Sequence, residues 1–213
     1  MKVVIFGASG YIGRRMIDML LLQGHQVTAY DRNIEHWLDK SIDHGNLLVI
    51  KGYLLDKKEV GKAIRGCQVV LFLVAGEREA GDVSRSGGMR QVLAGMRANK
   101  VDRLLVLGDA LLLEDEEGKM IAERDDFPIE RTAYAEENIK MWKQLQGAKL
   151  SWTMICPFQV TDGPESKAYI TFKEKVNNQN IAPIVAGDLC RFIFREMTKN
   201  EFIHQKVGII SAD

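Results

Sequence analysis

The sequence predicts an α/β fold: one doubly wound, mostly parallel sheet with helices on both faces. Three observations predict it. Short continuous apolar runs, Val3–Phe6 and Val69–Val74, read as strands covered on both sides. Segments with helical apolar periodicity lie between them. The alternation runs along the chain with no break in composition, so residues 1–213 are expected to form one domain, with a small C-terminal segment on the substrate side.

Each element has its own signal. After the first strand, Ile12, Met16, Met19, Leu20 and Gln23 share one helical face, with Arg14, Arg15 and Asp18 off it, and Gly24 stops the helix. Gln26–Tyr30 is the second strand, ending at Asp31, and Leu47–Lys51 is the third. Asp56 with Glu59 forms a capping box for a helix through Ile64, closed by Gly66. The strand Val69–Val74 ends at Ala75–Gly76, and the polar stretch Glu77–Gly88 reads as a loop. Met89, Val92, Leu93 and Met96 make the next helical stripe. Arg103–Leu107 is the fifth strand, ending at Gly108–Asp109. Leu113–Arg131 is irregular. Its acidic run, Glu114 to Glu117, is either a solvated loop or part of a lid. Thr132 is read as the cap of a helix that places Ala135, Ile139, Trp142 and Leu145 inward. Ser151–Ile155 is the sixth strand, stopped by Pro157; Val160–Ala182 reads as loop. Asp188 opens a long last helix, and Val207–Ile210 is a short final strand.

Gly7, Gly10 and Gly13 follow the first strand at intervals of three. Gly7 lets the chain turn out of the strand. Gly10 carries no Cβ to hold a pyrophosphate off the backbone. Gly13 lets the helix pack close. The N–H groups of Ser9, Tyr11 and Ile12 then face an anion, aided by the positive end of the helix dipole, and Ser9 adds a hydroxyl. A plain strand–helix turn would use the same glycines. The strand before, the amphipathic helix after and the second strand on schedule select the dinucleotide reading, a Rossmann-type site.

Composition excludes several classes. Lys+Arg and Asp+Glu are both 29, giving a net charge of zero, so no electrostatic footprint for nucleic acid or anionic membrane is present. No apolar run has membrane-spanning length, and the chain enters a strand almost at once. Cys67, Cys156 and Cys190 are widely spaced in apolar surroundings, as reduced core thiols of a cytoplasmic protein. The four histidines lack metal-ligand spacing, so no metal site is expected. The expected partner is a small-molecule substrate, with the chain a monomer or homodimer.

Four stretches resemble one family: GASGYIG at Gly7–Gly13, GYLLD at Gly52–Asp56, WTMICPFQVTDGP at Trp152–Pro164 and the segment Val185–Ile193. Together they are similar to the atypical short-chain dehydrogenases/reductases of the NmrA-like and flavin (biliverdin-IXβ) reductase-like NAD(P)H-binding type. The resemblance implies a nicotinamide cofactor across the C-terminal edge of the sheet. It assigns the pyrophosphate to Gly7, Ser9, Gly10, Tyr11, Ile12 and Gly13, and the adenine to Tyr53 and Leu54. It assigns the adenine-side ribose to Val74, Ala75 and Gly76, the nicotinamide ribose to Leu107 and Gly108, and the nicotinamide wall to Pro157 and Phe158. The family usually has Asp at the place of Tyr53 and often Arg at that of Cys156. Asp31 would accept bonds from a ribose 2′-hydroxyl, as in NAD enzymes. Arg32 stands at the position that reads a 2′-phosphate and could pair with it bidentately, which tilts the choice to NADP while leaving NAD open.

The chemistry is less legible. Ordinary short-chain dehydrogenases use a serine after the fifth strand and a Tyr-x-x-x-Lys pair. Here the strand ends in Gly108–Asp109, and Tyr134 is followed four residues later by Asn138, so its phenol is expected near its unassisted pKa of about 10. Asp109 and Tyr134 are the catalytic candidates, each with a structural alternative: a turn cap and a helix-face tyrosine. Cys156 is expected to be structural, lacking a basic neighbour. The residues thus suggest a hydride-donor site for a small conjugated acceptor such as a flavin or quinone. A non-catalytic NAD(P)-binding redox sensor is the alternative. An epimerase or dehydratase using bound NAD is a third reading.

Overall fold

The computed structural model describes residues 1–34, 45–75, 82–176 and 181–212. Strand β1 (Lys2–Phe6) enters helix α1 (Tyr11–Leu22), followed by β2 (Gln26–Asp31), β3 (Leu47–Lys51), α2 (Lys57–Ile64), β4 (Val69–Phe72), α3 (Ser84–Asn99) and β5 (Arg103–Leu107). Helix α4 (Thr132–Gln146), β6 (Ser151–Pro157), β7 (Val160–Thr161), β8 (Tyr169–Lys173), β9 (Ile184–Val185), α5 (Ala186–Lys199) and β10 (Gln205–Ser211) complete the chain.

Eight strands form one sheet in the order β3-β2-β1-β4-β5-β6-β10-β8; β7 and β9 pair in a separate two-stranded ribbon. Every pairing in the large sheet is parallel except β10 with β8. Val3 sits opposite Val27 on one side and Val69 on the other, so β1 is central. The chain reverses its direction of travel across the sheet between β1 and β4. The C-terminal ends of those two strands therefore flank the switch point where ligands sit in such sheets.

Side-chain alternation divides the core. Val4, Phe6, Val70, Phe72, Leu104 and Val106 face α2, α3 and α4. Val3, Ile5, Leu71, Leu105 and Ile155 face α1 and α5. All these residues are buried, as the continuous apolar runs require.

Several boundaries differ from the sequence reading. Helix α3 starts at Ser84, so part of the expected loop is helical; Arg85 and Ser86 are buried there and satisfied by side chains of α4, which apolar periodicity does not register. Thr132 does not cap α4: the cap position is Arg131, and Thr132 is already helical after a 3-10 turn at Ile129–Arg131. Helix α5 begins at Ala186, two residues before Asp188. The Asp188 carboxylate instead accepts the N–H groups of Ser166 and Lys167, at 2.9 and 2.8 Å. Asp56 does cap α2, but Glu59 completes no box, because it pairs with Lys62 while the Asp56 N–H donates to the carbonyl of Tyr53. Strand β8 lies within a stretch read as loop. It is a partly exposed edge strand with no buried apolar run to announce it.

The acidic run is split. Glu114 accepts from the buried Lys206 at 3.1 Å and bridges Met120 and Lys175, whereas Glu116 and Glu117 are exposed. Met120, Ile121, Ala122 and Phe127 pack against the core, so this segment lies down on the sheet's end.

Candidate functional site

The glycine turn has the geometry its spacing predicts. Gly7 has φ +84°, and a Cβ there would lie 2.8 Å from the Leu73 carbonyl. A Cβ on Gly13 would come within 2.2 Å of the Gly7 oxygen, so only glycine allows this approach of helix to turn. Gly10 is exposed and occupies the N-cap of α1. It supplies no side-chain cap, and the first turn holds no acidic residue. The donors of Tyr11 and Ile12 therefore have neither an intrahelical acceptor nor a capping side chain. Helix α2 shows the contrast, since Asp56 accepts two of its N–H groups. An uncapped N-terminus at a switch point fits a pyrophosphate.

One expected donor is otherwise engaged. The Ser9 N–H donates to Oδ2 of Asp31 at 3.3 Å, while Oδ1 of Asp31 accepts the Asn33 N–H at 3.3 Å. Asp31 thus ties the end of β2 to the turn, and Arg32 lies exposed one residue beyond it. The Tyr11 side chain turns away. Its hydroxyl donates to Asp162, which also pairs with Arg15 at 2.6 Å.

The remaining assigned positions ring the same edge. Tyr53 is 71% exposed, and its carbonyl accepts from the Tyr30 hydroxyl at 3.0 Å. Burial pushes Tyr30 up to about 12, so it remains a neutral donor. Leu54 packs against Gly88, where a Cβ would meet its side chain at 2.2 Å. Val74 and Ala75 follow β4; Gly76 lies outside the described residues. Leu107 and Gly108 are buried at the end of β5, with the Gly108 N–H donating to Ile155 at 2.8 Å. Pro157 is buried at the end of β6, and Phe158 is half-buried beside it.

The two catalytic candidates meet. The Tyr134 hydroxyl donates to Oδ2 of Asp109 at 3.0 Å. The structural alternative for Asp109 also holds, because Oδ1 caps the following 3-10 turn through the Leu111 N–H at 3.0 Å. Tyr134 is not unassisted, as the sequence had implied. Burial pushes its phenol above the usual value, the Arg85 guanidinium opposes this, and the Asp109 carboxylate adds to it. Cys156 is inert: burial, with Asp109 nearby, pushes its thiol up to about 12.

Arg85 is the residue the sequence did not reveal. It is 3% exposed. Its Nε donates to the Val74 carbonyl at 3.1 Å, and one terminal nitrogen donates to the Leu107 carbonyl at 3.1 Å. The other donates to the Tyr134 hydroxyl at 3.1 Å and to Oδ1 of Asn138. One cation therefore holds the tips of β4 and β5 against α4. No local pattern marks it, since its partners lie 11 to 53 residues away.

Comparison with known proteins agrees with this geometry. Residues 7–197 match the NAD(P)H-binding family, and the chain belongs to it. It is 24% identical over 218 residues to the uncharacterized protein YwnB of Bacillus subtilis, covering 99% of both chains. A 44-residue stretch is 36% identical to UDP-glucuronic acid decarboxylase 1 of Danio rerio, of which it covers only 10%. A short-chain dehydrogenase/reductase of Veillonella parvula in complex with NADP superposes with TM-score 0.81 at 18% identity, covering 99% of this chain and 94% of that one. A candidate NADH-flavin reductase of Streptococcus pneumoniae gives TM-score 0.80 at 22% identity, covering 99% of each. The cofactor is a nicotinamide dinucleotide. Among the described residues no helix is long and apolar enough to cross a membrane, and no group of side chains has a metal-binding arrangement.

Proposed function

We propose that this protein is an NAD(P)H-dependent reductase that passes hydride to a small conjugated acceptor, a flavin or a quinone. The observation that carries the reading is the uncapped N-terminus of α1, set at the switch point beside a strand-end wall of Leu107, Gly108, Pro157 and Phe158. The bound cofactor supplies the hydride. The chain's residues supply the rest: Tyr11 and Ile12 hold the pyrophosphate through their N–H groups, Asp31 and Arg32 read the adenine-side ribose, and the apolar wall keeps water from the nicotinamide face. Arg32 favours NADPH. The reduced, free thiols suit a cytoplasmic enzyme, working as a monomer or homodimer.

Two titrations of the purified protein test this, one with NADPH and one with NADH, each followed by free flavin and then by a quinone. Tight binding with steady oxidation of the cofactor is expected. Tight binding without oxidation would replace the reductase with a redox sensor, and no binding would remove the dinucleotide site altogether.

A further inference from the structure

Resting on that reading, the structure assigns Tyr134 as the proton donor of the reduction and Arg85 as the residue that positions its phenol, which makes the substrate a quinone-type carbonyl acceptor rather than a flavin. Asn138, four residues after Tyr134, carries no charge but fixes a cation that comes from another helix. Its Oδ1 accepts from Arg85, and its amide nitrogen donates to the Tyr134 carbonyl at 2.8 Å. The guanidinium carbon also lies 5.5 Å from the centre of the Tyr134 ring. A cation 3.1 Å from the phenol oxygen favours the phenolate that a donated proton leaves behind.

The groups facing the phenol are few. Arg85 reaches it from α3 and Asp109 from the end of β5; Asn138 shares its helix, and the buried Cys156 of β6 lies against Asp109. At neutral pH burial keeps the proton on Tyr134, as an acid requires. In the step, hydride adds to the conjugated acceptor while its carbonyl π bond opens. The Tyr134 O–H rotates from Asp109 to the carbonyl oxygen, which takes its proton, the nicotinamide is oxidised, and the phenolate beside Arg85 recovers a proton from water. One proton and one hydride are consumed per acceptor. A flavin, which can exchange its proton directly with solvent, needs no such donor.

The test begins without cofactor. A fluorinated tyrosine at position 134, more acidic than tyrosine, is titrated by fluorine NMR in the Arg85 background and in Arg85→Met. The ionisation is expected to move up by about one pH unit in Arg85→Met, a tenfold change in proton affinity. Arg85→Lys should hold it close to the parent, and adding Asn138→Lys to Arg85→Met should bring it back. At saturating NADPH, Tyr134→Phe should lower kcat for a quinone at least tenfold, and Arg85→Lys, which keeps the cation, should retain most of it. An ionisation indifferent to residue 85 overturns the positioning role, and full quinone turnover by Tyr134→Phe overturns the donor. Should Arg85→Met fail to fold, Arg85→Gln, which keeps hydrogen-bond donors but no charge, should show the same upward move of the ionisation, and Tyr134→Phe still decides the donor. A parent protein that binds NADPH but reduces no acceptor refutes the reductase reading and the donor with it, while the titration alone still judges the Arg85–Tyr134 coupling.

Discussion

The carboxylate of Asp31 accepts the backbone N–H of Ser9 at 3.3 Å, joining the end of β2 to the glycine turn. The residue expected to choose between cofactors is thus also a brace for the phosphate turn, and the two roles are separable by substitution. Arg32→Ala should weaken NADPH by about 1.5–3 kcal/mol, the range for a hydrogen bond to a charged group, and leave NADH nearly unchanged. Asp31→Asn keeps an acceptor for Ser9 but removes the charge that repels a 2′-phosphate, so the NADPH/NADH preference should rise. Fluorescence titration of both nucleotides checks this; equal losses for both in Arg32→Ala would show that Arg32 reads no phosphate.

Gly10 and Gly13 should fail differently. Gly10 is exposed at the cap, with only the Gly7 oxygen, 3.2 Å away, near a Cβ placed there. Gly10→Asp should leave the melting temperature almost unchanged and abolish nucleotide binding, because its carboxylate occupies the anion's place. Gly13→Ala drives a Cβ into backbone at 2.2 Å and should cost about 1–3 kcal/mol by overpacking, read from urea unfolding.

Remote from the site, Glu196 anchors the packing of α5 beneath the sheet. Its Oε1 accepts from Arg103 at 2.8 Å, Thr153 at 3.0 Å and the Phe202 N–H at 3.1 Å, all buried or nearly so. Glu196→Gln leaves the Arg103 charge buried without its counter-ion. A loss of about 3–5 kcal/mol is expected in urea unfolding, with the nucleotide affinity of the remaining folded protein retained.

Stability should fall on the alkaline side. Burial pushes Cys156 and Cys190 up to about 12 in the folded protein, from 9.0 for an ordinary thiol. Above pH 9 the unfolded chain releases these protons and the folded one does not, so the unfolded state binds fewer protons and the unfolding free energy decreases with pH. Each thiol contributes a slope of at most about 1.4 kcal/mol per pH unit between 9 and 12, whereas at neutral pH it contributes none. Cys156→Ala and Cys190→Ala should each flatten the slope; unchanged slopes would mean that these thiols ionise equally in both states.

How much could be read from the sequence follows from what burial does to a pattern. The core strands β1 and β4 were legible because a parallel strand covered on both faces must be apolar throughout. Strand β3, half-exposed at the sheet edge, was found through its Leu-Leu-Val-Ile run alone. The glycine turn was legible because each glycine answers a separate steric demand. Strand β8 was not, because an edge strand needs no buried run. Thr132 and Asp188 looked like caps because their chemistry suits that place, but a preceding 3-10 turn and the segment around Ser166 decided otherwise. Arg85 was least legible. A buried guanidinium is defined by the carbonyls and side chains that surround it, and these come from β4, β5 and α4.

The last strand, β10, lies inside the sheet between β6 and β8. During synthesis β6 therefore carries an open edge, and β8 has no neighbour in the sheet, until residues 205–211 have emerged from the ribosome. The half that carries the glycine turn, β1 to β5, can assemble its hydrogen bonds while the rest is still being made. The other half closes only once β10 has inserted, so premature termination shortly before Gln205 would release a chain with a formed glycine turn and an unprotected strand edge, a product bound for aggregation or proteolysis.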